Sequence, residues 1–489
     1  MDSLELSLET VKKRAVKGII ALTGRTFILS VVSLLATGFL TVFLDPSEFG
    51  IFWIVSAIVN FFAYFSDIGL AASLIQKKEK PTDEDLKTTF TIQQVLVFVI
   101  LILIFFGSPI FQKIYVFSNE GKYLLYSLGI SLLFSSLKTI PSILLERQLE
   151  FSKLVIPQVI ETLVYSLAAV FFAWKGFGIR SFTYAVFIRG FIGMVLIYIL
   201  KPWKPGFAFS KKSLKKLLSF GLPYQANTLL AVLKDDAMTA FLGTILGTTG
   251  MGYLGWAQRW GYAPLRFFMD HVVKVTFPAF ARMQEEKDQL KHTLERSIFF
   301  ICFLVFPSLI GLLLIAPLLV RIIPKYEKWL PALIPLTLIG VNTFFAAIST
   351  QLTNLLNSIG KIKITFRLMI MWTVLTWVFV PVLAYKYGVN GAAFGYSIIG
   401  VSSIVAIFIA RKYVKFSLVN SALKPAISAI IMGIIIFLIR NIFPYNIKSV
   451  ILLVSLGVMI YLGLSFVLIG PSLTTDIKKS ISTILGKEK

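Results

Sequence analysis

Residues 18–44 read GIIALTGRTFILSVVSLLATGFLTVFL, an apolar run interrupted by one arginine, Arg25. A hydrocarbon core about 30 Å thick is crossed by about 20 apolar residues at 1.5 Å rise. A charge inside such a run has to face a cavity or a partner. Similar runs follow at approximately 50–75, 89–112, 123–145, 154–174, 178–200, 218–245, 250–276, 296–322, 329–352, 364–385, 390–411, 421–441 and 447–470. These fourteen stretches predict an all-α integral membrane protein that uses nearly all of its 489 residues in the bilayer.

Composition agrees. Hydrophobic residues make up 57% and charged ones 15%, and the mean hydropathy is +0.82, outside the balance of a soluble domain. The net charge of +24 would suggest nucleic acid in a soluble protein, but here its distribution follows topology. With both termini in the cytoplasm, about 31 Lys and Arg fall on that side, about 10 outside and about 7 within spans. Lys12, Lys13, Arg14 and Lys17, and then Lys201, Lys204, Lys211, Lys212, Lys215 and Lys216, all share the same side. The expectation is a multi-pass protein of the cytoplasmic membrane with no nucleic-acid partner.

The single cysteine, Cys302, sits in an apolar run, and there are two histidines, His271 and His292. Disulfides, thiolate metal sites and zinc chemistry lack the ligands they need. No cofactor, metal or catalytic residue is expected. Leu4, Leu8, Val11 and Ala15 follow helical spacing opposite Glu9, Lys12 and Lys13, consistent with a helix on the cytoplasmic interface.

Connections are short, and the longest polar ones lie at 201–217 and 277–295. The first divides the chain into comparable sets of six spans. Leu44–Gly50 matches Leu246–Gly252, and Lys153, Gly178 and Gly190 match Lys363, Gly388 and Gly400, at offsets of 202 to 210. Six spans per copy is an even number, so both copies enter from one side and form a parallel repeat that can rock about a central cavity. The expected division is an N-terminal lobe at 1–207, a C-terminal lobe at 208–412, and two further helices with a cytoplasmic tail at 413–489.

Charges inside the spans are the candidate functional groups. In span 8, Arg259, Arg266, Asp270 and Lys274 fall within roughly 80° of one another on a helix, a stripe that should face an aqueous lumen, with Arg266 and Asp270 able to pair at i, i+4. Arg25 and Asp67 sit at similar depth in spans 1 and 2, as do Lys138 and Glu161 in spans 4 and 5. Each couple is a candidate ion pair. In span 7, Lys234, Asp235 and Asp236 point in three directions, so that helix is either bordered by water or broken. Arg189 adds a cation in span 6. Seven basic groups against five acidic ones make the interior mildly cationic, suited to a phosphate or diphosphate through Arg forks.

Several local motifs lie along the chain: Glu48-Phe-Gly-Ile, Asp67-Ile-Gly-Leu, Ile75-Gln-Lys-Lys, Leu145-Glu-Arg-Gln-Leu-Glu-Phe-Ser-Lys, Gly176-Phe-Gly, Lys201-Pro-Trp-Lys-Pro, Phe220-Gly-Leu-Pro, Phe277-Pro-Ala-Phe, Asn354-Leu-Leu-Asn-Ser-Ile-Gly-Lys and Tyr387-Gly-Val-Asn-Gly-Ala-Ala. In their order and spacing they resemble those of the Wzx-type polysaccharide and oligosaccharide flippases, in the superfamily that also holds MATE drug exporters and lipid II flippases. The resemblance spans nearly the whole chain. It implies two six-helix lobes, alternating access, and an undecaprenyl-diphosphate-linked sugar repeat unit as cargo, for surface polysaccharides such as O-antigen lipopolysaccharide. Of its site residues only the theme of a cationic cavity carries over, onto Arg25, Lys234, Arg259 and Arg266. Implied partners are the lipid-linked oligosaccharide, membrane lipids, and a polysaccharide polymerase and glycosyltransferases. Two other functions compete. One is a cation-coupled drug exporter using Asp67 or Asp235; the other is a membrane glycosyltransferase or polymerase, disfavoured because Asp45, Glu48, Glu120 and Glu327 are scattered over short connections.

Overall fold

The computed structural model describes residues 8–470, with side chains at 24–225 and 228–470. Of the interfacial helix expected around Leu4–Ala15, residues 8–15 form the start of α1, while Leu4 and the tail beyond 470 lie outside that description. Every regular element among the described residues is helical. They are α1 (Leu8–Phe43), α2 (Pro46–Ala63), α3 (Leu70–Gln76), α4 (Asp83–Tyr115), α5 (Asn119–Leu137), α6 (Thr139–Arg147), α7 (Phe151–Trp174), α8 (Arg180–Leu200), α9 (Lys211–Val232), α10 (Met238–Gly261), α11 (Ala263–Arg282), α12 (Lys287–Ile322), α13 (Leu333–Ser358), α14 (Ile362–Ser402), α15 (Ile404–Arg411), α16 (Lys424–Ile439) and α17 (Ile447–Ile469).

Ten of the described helical stretches are long and apolar enough to cross a membrane, or eleven when α5 and α6, bent by 41°, count as one span. One of the ten, 362–411, turns back on itself at Gly388, where φ is +60°. A Cβ on Gly391 would lie 1.9 Å from the Leu383 carbonyl oxygen, and one on Gly395 would lie 2.9 Å from Val380 Cα. Residues 391 and 395 therefore run antiparallel to 383 and 380, as a hairpin of two spans. Spans 7 and 8, covering α9 to α11, are not among the ten; they hold seven of the interior charges, and a count of fourteen depends on them.

Contacts divide the chain into two compact units, Met1–Gly255 and Trp256–Lys489. The first takes in α9 and most of α10 because they pack along α2 and α3. The loops that begin α2 and follow the Gly247 turn meet reciprocally. A Cβ on Gly50 would fall 1.6 Å from the Thr248 carbonyl oxygen, and one on Gly252 would fall 1.8 Å from that of Pro46. At the repeat offset of 202, Pro46 corresponds to Thr248 and Gly50 to Gly252. Each copy thus presents its glycine to the other's carbonyl, a contact only glycine permits. Further along the same seam Asn60 Nδ2 donates to Asp236 Oδ1 at 3.4 Å, Gln225 and Tyr64 exchange hydrogen bonds, and Ser73 Oγ donates to the Leu217 carbonyl at 2.6 Å. Gly69 and Gly221 abut backbone to backbone.

The motif around Arg147 is a joint between elements. Arg147, at the end of α6, donates from Nη1 to the carbonyls of Leu74 (2.6 Å), Ile75 (3.0 Å) and Lys77 (2.6 Å), and from Nη2 to that of Glu79 (2.9 Å). The last carbonyls of a helix have no intrahelical partner, and a guanidinium with five donors suits them. Lys77 in turn pairs with Asp85 at 2.5 Å, both side chains largely buried. Arg147→Ala is expected to lower the melting temperature of the purified protein, since bonds to a charged group contribute about 1.5–3 kcal/mol. Arg147→Lys should recover only part, and a melting curve indistinguishable from the parent would remove this joint from the account.

The second unit has its core between α12, α13 and α16, where Phe306 stacks on Phe344 at 4.0 Å and Cys302 is fully buried. Tyr461 on α17 donates to the Phe303 carbonyl at 2.9 Å, and a Cβ on Gly433 of α16 would touch Ile310 at 2.6 Å. The two C-terminal helices are therefore docked on α12.

Candidate functional site

In the first unit four of the charges expected inside the spans, Arg25, Lys138, Glu161 and Arg189, gather around α7. Arg25 on α1 donates from Nη1 to Gln158. One turn along, Glu161 is 8% exposed and accepts from Lys138 Nζ at 2.7 Å; Arg189 Nε on α8 lies 3.8 Å from its other oxygen. The bend between α5 and α6 places Lys138 where it can reach inward. Arg189 also lies over the Tyr165 ring, 5.7 Å from its centroid. Gly193 makes room, because a Cβ there would come within 2.0 Å of Glu161 Oε1.

The charge balance of this cluster is uneven. One carboxylate serves two cations, and the partner of Arg25 is a neutral amide. Arg25 Nε is buried without a hydrogen-bond partner among the described residues. Removing the carboxylate alone leaves buried positive charge uncompensated, at a cost of about 3–5 kcal/mol. Glu161→Gln should therefore reduce the folded yield, and Gly193→Ala should reproduce the defect by displacing the carboxylate. Yield should return in Glu161→Gln with Lys138→Gln; a double variant as poor as the single one would contradict the pairing.

Two expected pairs do not form. Arg25 and Asp67 have separate partners: Asp67 follows the break in span 2 and accepts the Ala71 amide at 3.1 and 3.2 Å, capping α3. Arg266 and Asp270 are both exposed on the protein surface and make no ion pair with each other. A pair on an open face gains little and costs side-chain freedom.

Span 7 carries its three charges on a wide, π-helical turn, Leu233–Ala237. Lys234 pairs with Asp235 at 2.5 Å, and Asp236 turns to Asn60. In the second unit, Arg259 is half-buried and Lys274 exposed. The second unit also holds a buried neutral polar layer: Asn354 Nδ2 donates to Thr276 Oγ1 at 2.8 Å, and Gln351 Nε2 contacts Met269 Sδ at 3.1 Å. Its signal was available, since Gln351 and Asn354 are amides three residues apart on one face of an apolar span.

The fold and these charges define a polytopic, all-α membrane protein with a mostly cationic set of groups inside its spans. Residues 39–333 match the family described as polysaccharide biosynthesis protein, and the chain belongs to that family. It is 23% identical over 413 residues to an uncharacterized membrane protein in the cps region of Klebsiella pneumoniae, covering 81% of this chain and 80% of the relative. The lipopolysaccharide biosynthesis protein WzxC of Escherichia coli (strain K12) is 23% identical over 382 residues, 76% of this chain and 75% of the relative. Among solved structures, the lipid II flippase MurJ in an inward closed conformation superposes with a TM-score of 0.74 at 17% identity, over 92% of this chain and 98% of that one. That likeness is one of fold.

Proposed function

We propose that the protein moves a lipid-linked oligosaccharide, carried on a polyprenyl diphosphate, across the cytoplasmic membrane for assembly of a surface polysaccharide. The observation that carries this function is the uncompensated positive charge within the spans. Among the described residues Arg25 has a neutral partner alone, and Lys138 and Arg189 share one carboxylate. Unpaired cations at membrane depth are costly, and an anionic cargo head offsets that cost. A diphosphate offers the planar, multidentate acceptors that Arg forks suit. Membership of a polysaccharide biosynthesis family and the name of the WzxC relative support the same cargo.

Transport of this kind breaks no covalent bond, so the protein works as a carrier and not as an enzyme. Both termini lie in the cytoplasm, as the Lys and Arg bias suggests. The repeat copies, 1–207 and 208–412, move against each other, with 413–489 outside the repeat. Arg259, Arg266 and Lys234 contribute to head-group binding, while Asp235, Asp236 and Asp270 balance them or carry the coupling ion. The polymerase and glycosyltransferases that use and make the cargo act beside it. Purified protein in vesicles is expected to translocate a fluorescent polyprenyl-diphosphate oligosaccharide and to leave cationic dyes untransported. Dye export under a proton or sodium gradient, without lipid translocation, would replace this function by drug export.

A further inference from the structure

The connection between the repeats lies against the protein in an unusual way. Residues 207–210 run extended along α4, with the Ala208 amide donating to Thr91 Oγ1 and the Ser210 amide to Thr88 Oγ1, each at 3.1 Å. Trp203 packs edge-on against buried Phe90 at 5.1 Å, and Leu214, Leu217 and Leu218 pack the start of α9 into the same cluster. The segment is thus held where the apolar run of α4 begins. From that fixed position Phe207 and Phe209, two residues apart, are 76% and 62% exposed.

Lysines flank the two rings. Lys204, Lys211, Lys212 and Lys215 are exposed and form no ion pair among the described residues. Of the acids nearby, Glu79 is engaged with Lys216, Asp83 with Lys87 and Asp85 with Lys77, which leaves Glu84 as one exposed carboxylate against the four lysines. Exposed rings with free ammonium groups beside them, at the mouth of a membrane span, match the chemistry of a bilayer interface. Rings settle among head groups and upper acyl chains, and lysines are drawn to anionic lipid within a Debye length.

The geometry points to the 204–215 segment as a docking surface for anionic phospholipid head groups, which ties the connection between the repeats to the leaflet on that side. This surface is independent of the cargo and stands whether or not the protein flips an oligosaccharide.

The test uses the full-length protein. Cys302 is buried, so an NBD label on Phe209→Cys reports this segment alone, in vesicles of equal phosphatidylglycerol and phosphatidylcholine with bromine on one lipid or the other. Brominated phosphatidylglycerol should quench with a local association about tenfold above that of brominated phosphatidylcholine, given the attraction of each lysine for an anionic surface. The added substitutions Lys204→Gln, Lys211→Gln, Lys212→Gln and Lys215→Gln should bring the ratio close to one. Aqueous iodide should quench poorly, and millimolar inorganic phosphate should leave the preference intact. Equal quenching by the two lipids, a ratio unchanged by the four substitutions, or free access of iodide would each overturn the proposal. Loss of the preference in phosphate would assign the lysines to a free anion and reject the lipid.

Discussion

Gly252→Val is expected to open the contact between the two repeat loops and to abolish most transport. A Cβ at 252 would lie 1.8 Å from the Pro46 carbonyl oxygen, and its counterpart at 50 would lie 1.6 Å from that of Thr248. Both obstacles are backbone, so neither can swing aside as a flexible side chain would. Overpacking of this kind costs about 1–3 kcal/mol or more, which moves a two-state equilibrium about five- to a hundredfold. Ile54, fully buried beside Gly243, serves as the reporter. Ile54→Cys should react slowly with a membrane-impermeant maleimide in the parent and much faster with Gly252→Val. Gly50→Val should act alike because the contact is reciprocal. Unchanged reactivity in both would show that the loop contact does not keep Ile54 buried.

The second large effect is expected at Arg25. Replacing it with glutamine removes an ionised donor whose partner among the described residues is the neutral Gln158, so folding should suffer little while cargo binding loses charge-assisted bonds of about 1.5–3 kcal/mol. Translocation should fall roughly ten- to a hundredfold. Arg25→Lys keeps the charge without the planar fork and should fall between. Glu161→Gln provides the contrast, since its defect lies in folded yield. If Arg25→Gln instead lowers yield and leaves the rate per folded molecule intact, Arg25 is a structural residue.

The pattern of spans was readable because bilayer thickness imposes a length and an apolarity that few other constraints share. Lys138 and Glu161 were readable as a pair from equal depth on consecutive spans, and depth sufficed because both helices reach that level. Asp67 failed the same test for a local reason. Span 2 breaks at Tyr64–Ser66, the chain passes through Ile68 and Gly69 at positive φ, and the carboxylate turns to cap the next helix. Depth measured along an unbroken helix does not foresee that. Arg266 and Asp270 had the spacing of a pair, but their open face supplies no burial to hold one.

The glycines illustrate a different limit. Gly50 and Gly252 stand at matching places in the repeat, which the sequence displays. That each meets the other copy's carbonyl depends on how helices far apart in sequence pack, and no local pattern encodes it. The same holds for Arg147, whose motif looks like an ordinary loop until the four carbonyls it binds are seen.

Recognition of a diphosphate head by positive charge within the spans is the step on which transport depends. It is tested most directly by competition in vesicles containing the purified, full-length protein and a fluorescent polyprenyl-diphosphate oligosaccharide. Unlabelled polyprenyl diphosphate should inhibit translocation strongly, polyprenyl monophosphate more weakly and the uncharged polyprenol not at all, with the order flattened in Arg25→Gln. Equal inhibition by polyprenol and polyprenyl diphosphate in the parent protein would contradict it.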